Sequence, residues 1–197
     1  MIRALAVLVV LGGLAGCASA TPEPPEHLPR AIAVLPPNNR TGDPLVVSGT
    51  GLIDRYVRHA ARVTVADVLL SEARFRLQES GFEVADDRTV ETALQGRTPE
   101  SPDSAAELAS QGGLKSLLLY LEIRRWEPDA PIHTRFVIVG LQASLIDPST
   151  GKVVWQEERR AAPVPTPGEI MVQSAYVTAA RKVIEEMLAP LQPDSTP

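Results

Sequence analysis

The only cysteine of the 197 residues, Cys17, lies directly after an apolar segment at the amino terminus. Eleven residues without a charge, Ala4 to Leu14, follow the positive charge of Arg3, and two small residues precede the cysteine. This layout predicts a secretory signal peptide over residues 1–16, because a membrane-spanning helix needs about 20 apolar residues. With one cysteine the chain forms no internal disulfide, so its fold depends on a buried hydrophobic core.

The four residues Leu14-Ala15-Gly16-Cys17 resemble the lipobox of bacterial lipoproteins. The resemblance implies cleavage before Cys17 and attachment of diacylglycerol and an N-acyl chain, which removes the thiol from redox and metal chemistry. Several acyl chains anchor a protein durably, whereas a single chain holds only weakly. Ala18 differs from the aspartate that resembles an inner-membrane retention signal, so the expected location is the periplasmic face of the outer membrane. No cofactor other than this covalent lipid is expected.

The mature chain is acidic and begins with a proline-rich stretch. Removal of residues 1–16 takes away one charge, that of Arg3, and leaves 18 basic and 24 acidic residues, a net charge of −6. This balance argues against nucleic acid as a partner, since nucleic acid requires clustered cations. Residues 17–30 form a tether whose prolines favour an extended conformation, with a reach of roughly 35–40 Å. Residues 31–191 form one domain, and the polar tail 192–197 is expected to be disordered.

Apolar periodicity divides the domain into elements in the order β, α, β, α, α, β, β, β, α. Residues 117–126 alternate as a half-buried strand, and a long strand over 136–146 turns at 147–151 into a partner over 152–158. Residues 52–78 have mostly helical spacing. A capping box at Thr166–Glu169 predicts the start of the last helix, which would bury Ile170. We expect an α/β fold with a single mixed sheet and helices packed mainly on one face.

Three segments, 31–43, 77–84 and 145–155, together resemble the TolB amino-terminal and CsgG-like lipoproteins. The third carries Asp-Pro-Ser-Thr-Gly-Lys followed by an aromatic residue, which is similar to the hairpin of that group. The greatest likeness is to small lipoproteins encoded beside CsgG-type curli secretion proteins, and LpoB and PelC are more distant relatives in fold. The resemblance implies a domain that acts by binding and assembly and has no catalytic residues. Residues 44–63 fit least and are interpreted as an insertion or an extended helix start.

No constellation typical of an enzyme or a metal site is present in the sequence. The chain has no Gly-x-Ser-x-Gly elbow, and Thr150-Gly151-Lys152 lies between two strands, so it is interpreted as a hairpin turn rather than a phosphate loop. His27, His59 and His133 have no second ligand at suitable spacing. We therefore expect no catalytic residue, no metal and no enzymatic activity.

Two features suggest an interaction surface. Phe136 and Ile138 are apolar on the strand face opposite Val137 and Val139, so a helix covers them or they meet a partner. Tyr120 and Trp126 are candidate aromatic anchors for that interface. The densest basic series is interpreted as a solvated helix face, with contact to anionic headgroups or an acidic partner as the alternative; it consists of Arg55, Arg58, Arg62, Arg74 and Arg76.

These observations predict an outer-membrane lipoprotein that serves as a non-enzymatic accessory or assembly subunit of an envelope secretion or transport system. Its partners would be the membrane and envelope proteins, including a CsgG-type secretion component or further copies of itself. Three alternatives stay open: a CsgG-like oligomeric pore, an LpoB-like activator of a peptidoglycan synthase, and a hydrolase. Only residues 136–146 are long enough for a membrane strand, and the short tether disfavours a reach across the periplasm.

Overall fold

The computed structural model describes residues 24, 28–47 and 62–192, and these residues contain six strands and four α-helices. The strands are β1 (Ala31–Val34), β2 (Asn38–Asn39), β3 (Glu83–Val84), β4 (Leu117–Pro128), β5 (Phe136–Asp147) and β6 (Lys152–Pro165). The helices are α1 (Val65–Glu79), α2 (Asp87–Leu94), α3 (Pro102–Gln111) and α4 (Val172–Leu188), followed by a 3-10 turn at Ala189–Leu191. The predicted element order is confirmed, and β2 is an addition.

All six strands belong to one mixed sheet, in the order β3-β1-β4-β5-β6, with β2 paired to β4 beyond the end of β1. β1 is parallel to β3 and β4, whereas β4, β5 and β6 form an antiparallel meander. The predicted fold class is therefore confirmed. β6 reaches Pro165 instead of residue 158, so the antiparallel part of the sheet extends well beyond the short parallel part.

Helices cover the two faces of the sheet unequally. The two longest helices, α1 and α4, pack on one face and bury the larger apolar core between themselves and the sheet. α1 contributes residues at a spacing of four, which places them on one side of the helix; they are Val65, Leu69, Ala73 and Leu77. The shorter α2 and α3 cover only one end of the opposite face, around Leu118 and Ile146. The rest of that face carries no helix among the described residues.

The start of the last helix differs from the prediction. α4 begins at Val172, five residues after Pro167, and its N-cap Met171 makes no side-chain capping bond. The hydroxyl of Thr166 donates instead to the carbonyl of Thr134 (3.2 Å), and its amide donates to the carbonyl of Arg135 (2.8 Å). The expected capping box is therefore wrong, because its first residue ties down the preceding loop, and Ile170 is exposed rather than buried.

Several predicted segments lie outside the described residues: the signal peptide 1–16, Cys17, most of the tether 17–30 and the tail beyond residue 192. Residues 48–61, within the segment that fits the resemblance least, also lie outside them. The flanks of 48–61 meet in an antiparallel bridge between Val46 and Thr64. Over the ranges 28–47 and 62–192, no helix is long and apolar enough to cross a membrane.

Candidate protein-binding surface

The sheet face that carries α2 and α3 is divided into three zones, and the first is the covered end. Tyr120 lies there among the side chains of the smaller core, 1% exposed. Its hydroxyl accepts a hydrogen bond from Nδ2 of Asn38 (3.0 Å), and burial raises the pKa of Tyr120 despite that bond. Tyr120 is thus a core residue, which corrects its prediction as a surface anchor.

Trp126 is also buried, on the opposite face of the sheet. Strict alternation from Leu117 would place Trp126 on the same face as Tyr120. A β-bulge between Ile123 and Arg125 adds one residue and turns Trp126 toward α4. Its ring meets Tyr176 edge-on, with 6.2 Å between ring centroids and an interplanar angle of 89°. The burial of Trp126 inside the larger core corrects its prediction as an interface anchor.

The middle zone of the face is polar and is organised by Arg124. Its guanidinium donates to Oε1 of Glu122 (2.8 Å), to Oε1 of Glu158 (2.8 Å) and to Oε1 of Gln142. Gln142 in turn donates to the hydroxyl of Ser144 (3.3 Å), so the polar groups of three neighbouring strands form one network. These donors and acceptors satisfy one another, so the network leaves none of its members buried without a hydrogen bond. The middle zone is therefore polar and does not suit an apolar partner.

The third zone is apolar, lies at the far end of the face, and is here called the open-face patch: Phe136, Ile138, Pro163 and Pro165. Register places Ile138 opposite Pro163 and Phe136 opposite Pro165. Both prolines are exposed, and Phe136 and Ile138 are half-buried. Neither hydrophobic core includes Phe136 or Ile138 among the described residues. No described helix covers these two residues, and their contact with a partner stays a prediction.

An ion pair borders the open-face patch. Arg125 donates to Oε2 of Glu127 (2.7 Å), and this hydrogen bond lowers the pKa of the Glu127 carboxyl. Beside it, Gly140 lies where the strands approach closely, since a Cβ there would be 3.3 Å from Cβ of Arg125 and 3.6 Å from Cα of Ala161. The patch therefore has a charged pair on one side, next to a point where β4, β5 and β6 approach closely at Gly140.

Two members of the basic series, Arg74 and Arg76, lie on α1 and make contacts within the domain. Arg74 donates to the carbonyl of Ala85 (2.7 Å) and pairs with Asp87. Arg76 pairs with Glu79 (3.2 Å) and with Glu185 of α4 (2.9 Å). Arg55 and Arg58 lie outside the described residues, and Arg62 is exposed. Arg74 and Arg76 therefore join elements of the fold rather than form a free cationic face.

The structure describes only some of the groups considered for catalysis or metal binding. No cluster of three His, Cys, Asp or Glu side chains suited to a metal occurs among residues 28–47 and 62–192. His133 lies in the loop between β4 and β5, while His27 and His59 fall outside the described ranges. Thr150-Gly151-Lys152 forms the predicted turn between β5 and β6, with Gly151 at a φ of 69°.

Half of the open-face patch is not predicted from the sequence. The alternation of apolar residues predicts Phe136 and Ile138, whereas the predicted partner strand ends at residue 158 and leaves out Pro163 and Pro165. The two prolines were a signal in themselves, because within sheets proline is confined to edges and bulges, and β6 is an edge strand. Arg124 was placed on the correct strand face, but its partners on β5 and β6 depend on register.

Comparison with known proteins shows similarity at the level of fold. No protein-family model matches the chain, and no curated protein sequence does. The PelC dodecamer of Paraburkholderia phytofirmans is similar in structure, with 18% identity, 88% of this chain and 96% of the PelC chain covered, and a TM-score of 0.52. A variant of that PelC gives 21% identity, 87% and 94% coverage, and a TM-score of 0.52. Lipoprotein GNA1162 from Neisseria meningitidis gives 18% identity, 86% and 100% coverage, and a TM-score of 0.48.

The similarity to PelC confirms one part of the sequence-based resemblance, which placed PelC among the relatives in fold. At identities of 18–21% it shows a shared α/β architecture and nothing about activity. The link to CsgG-like proteins themselves stays a prediction.

Proposed function

We propose that this chain is a lipid-anchored accessory protein of the bacterial cell envelope that acts by binding other envelope proteins. The observation that carries the proposal is the open-face patch, two exposed prolines and two half-buried apolar side chains on a sheet end that no described helix covers. The lipobox at Cys17 and the fold shared with PelC support an envelope setting. The proposed role is non-enzymatic, with the covalent lipid on Cys17 as its only attached group.

The mechanism we propose is recruitment. The lipid confines the domain to the periplasmic face of the outer membrane, the tether sets its reach, and the open-face patch contacts the partner. Confinement raises the effective concentration of the two proteins, so a modest interface is sufficient. A component of a secretion or transport system, such as a CsgG-type protein, is the partner class that the sequence resemblance suggests.

The test is photocrosslinking in cells with the full-length lipidated protein. A photoreactive residue at Phe136 is compared with one at Val153, an exposed apolar position at the other end of the same sheet face. An adduct with one envelope protein at Phe136 and not at Val153 supports the proposal. Failure to crosslink at Phe136, with Cys17→Ala showing that localisation depends on the lipid, would refute the binding role while leaving the anchor intact.

Assembly with copies of itself is the second candidate. The solved PelC structures are dodecamers, and the fold is shared over 88% of this chain. Native mass spectrometry of the lipidated protein in mild detergent separates the two candidates. A defined ring, with Phe136 crosslinking to the same protein, favours self-assembly; a monomer with adducts to another protein favours the accessory role.

A further inference from the structure

Three large aliphatic side chains are exposed together at one end of the domain, here called the apolar tip: Ile132, Ile170 and Met171. They are 65%, 62% and 62% exposed. Ile132 comes from the loop between β4 and β5, whereas the other two come from the segment between β6 and α4. Fully burying an aliphatic side chain stabilises a protein by about 1.5–3 kcal/mol. The domain does not gain this stabilisation from the exposed side chains of the tip.

Hydrogen bonds between the two loops hold the apolar tip in place. Ile132 and Met171 form an antiparallel bridge, and the amide of His133 donates to the carbonyl of Ile170 (3.0 Å). Beneath the tip, Thr134 and Thr166 are almost fully buried, and each hydroxyl is bonded to a backbone carbonyl. Because the loops are already ordered, binding through the tip would cost little conformational entropy.

A groove of about 390 Å³ adjoins the apolar tip; its lining includes Ile170 of the tip and the polar residues His133, Arg135, Thr166 and Glu169. The side chain of Arg135 is 84% exposed, and Nε bonds Asp129 at 3.3 Å. Its terminal amino groups make no hydrogen bond to any described residue. Glu169 is occupied by the hydroxyl of Thr178 (2.7 Å). The groove thus offers an exposed guanidinium fork, which suits a carboxylate.

The apolar tip lies at the opposite end of the sheet from the chain that leads to the proposed lipid anchor. β1 pairs in parallel with the start of β4, at Ile32 and Leu117. The tip follows the other end of β4, which is 12 residues long. At about 3.3 Å per residue, the two ends are roughly 35 Å apart. The tip therefore lies at the end of the sheet opposite the entry of the chain into β1, and it adjoins the sheet end that carries Phe136 and Pro165.

We propose that the apolar tip is a docking point for a segment of a partner protein that presents an aliphatic side chain beside an acidic one. The aliphatic group would pack on Ile132, Ile170 and Met171, and the carboxylate would bond Arg135. This inference rests on the proposed binding function and deepens it.

The test starts from photocrosslinking at Ile132 in the lipidated protein, followed by pairwise binding of the captured protein after purification. The double variant Ile132→Asp/Met171→Asp is expected to weaken that binding at least 30-fold, since it replaces apolar contacts with charge. Arg135→Glu is expected to weaken it about tenfold and to reduce its salt dependence. Val153→Asp, at the other end of the sheet, serves as the matched control and should leave affinity unchanged.

Several outcomes would overturn the inference. Adducts of Ile132 with lipid, or Ile132-dependent binding of the domain to phosphatidylethanolamine–phosphatidylglycerol vesicles, would identify the tip as a membrane contact. Adducts only with the same protein would assign it to self-assembly. Affinity unchanged by the tip variants, or no adduct at Ile132 while Phe136 captures a partner, would remove the tip from the interface and leave the proposed function standing. Unaltered thermal unfolding of each variant excludes misfolding as the cause.

Discussion

Removing Arg124 is expected to destabilise the domain because its guanidinium bridges three strands. Arg124→Ala deletes the donors to Glu122, Gln142 and Glu158 together. The side chain of Glu122 is only 10% exposed, and the substitution leaves it with Arg40, 3.5 Å away, as its one remaining cation among the described residues. Gln142, also buried, loses a partner for its carbonyl oxygen.

The magnitude follows from the unequal burial of the two charged partners. Breaking a fully buried ion pair costs about 3–5 kcal/mol, because the other charge is left uncompensated. The Arg124 side chain is 42% exposed, so water replaces part of what is lost. We expect a loss of about 2 kcal/mol in the free energy of unfolding. A domain of this size should then melt roughly 4–8 °C lower.

A double-mutant cycle measures the coupling directly. Glu122→Gln in the Arg124→Ala background removes the unpaired charge and is expected to recover about 1 kcal/mol. Urea unfolding of the delipidated wild type, both single variants and the double variant gives the coupling free energy. Arg125→Ala, which removes the neighbouring exposed pair with Glu127, is the control and should change stability far less. Strictly additive costs of the two single variants would refute the network.

Three further predictions concern packing, pH and capping. Gly112→Ala should lower the free energy of unfolding by about 3 kcal/mol or more, because its Cβ would lie 2.2 Å from the carbonyl oxygen of Ala93. Gly151→Ala is in open space at positive φ and should lower it by only about 1–2 kcal/mol. Chemical unfolding of both variants compares them. Burial raises the pKa of Asp129, but hydrogen bonds from the backbone amides of Phe136 and Arg135 outweigh this effect and leave the pKa below its ordinary value. The ionised carboxylate therefore stabilises the fold above about pH 4, and this stabilisation is lost as the pH falls further. Melting temperatures should fall less steeply in acid for Asp129→Asn than for wild type, and parallel curves would contradict this. Ser101→Ala removes the cap of α3 and should cost about 1 kcal/mol in urea unfolding, with an unchanged midpoint as the contrary result.

Periodicity in the sequence predicted the elements whose exposed and buried sides differ strongly. The inward face of β5, from Val137 to Leu145, and the spacing of four along α1 identified both elements. Ser101-Pro102 marked the start of α3, where the capping box is observed. These predictions succeeded because each depends on residues close together in the chain.

The misses depend on contacts between distant residues. The bulge that turns Trp126 inward is a property of the pairing of β4 with β5, so alternation along β4 alone placed this residue on the wrong face. Thr166 has the residue type and spacing of a helix cap, but the loop at Thr134 competes for its hydroxyl. In the candidate surface, Phe136 and Ile138 were predicted, whereas their neighbours Pro163 and Pro165 depend on the length of β6.

The pairing of α1 with α4 affects the order in which the domain folds. Arg76 bonds Glu185 and Arg181 bonds Glu72, each across 109 positions of the chain. Until α4 arrives, the apolar side of α1 has no helix beside it, and the larger core remains open. Such distant contacts slow folding and delay it until the chain is nearly complete. A chain that ends before Val172 would therefore be a substrate for proteases and chaperones rather than a smaller functional domain.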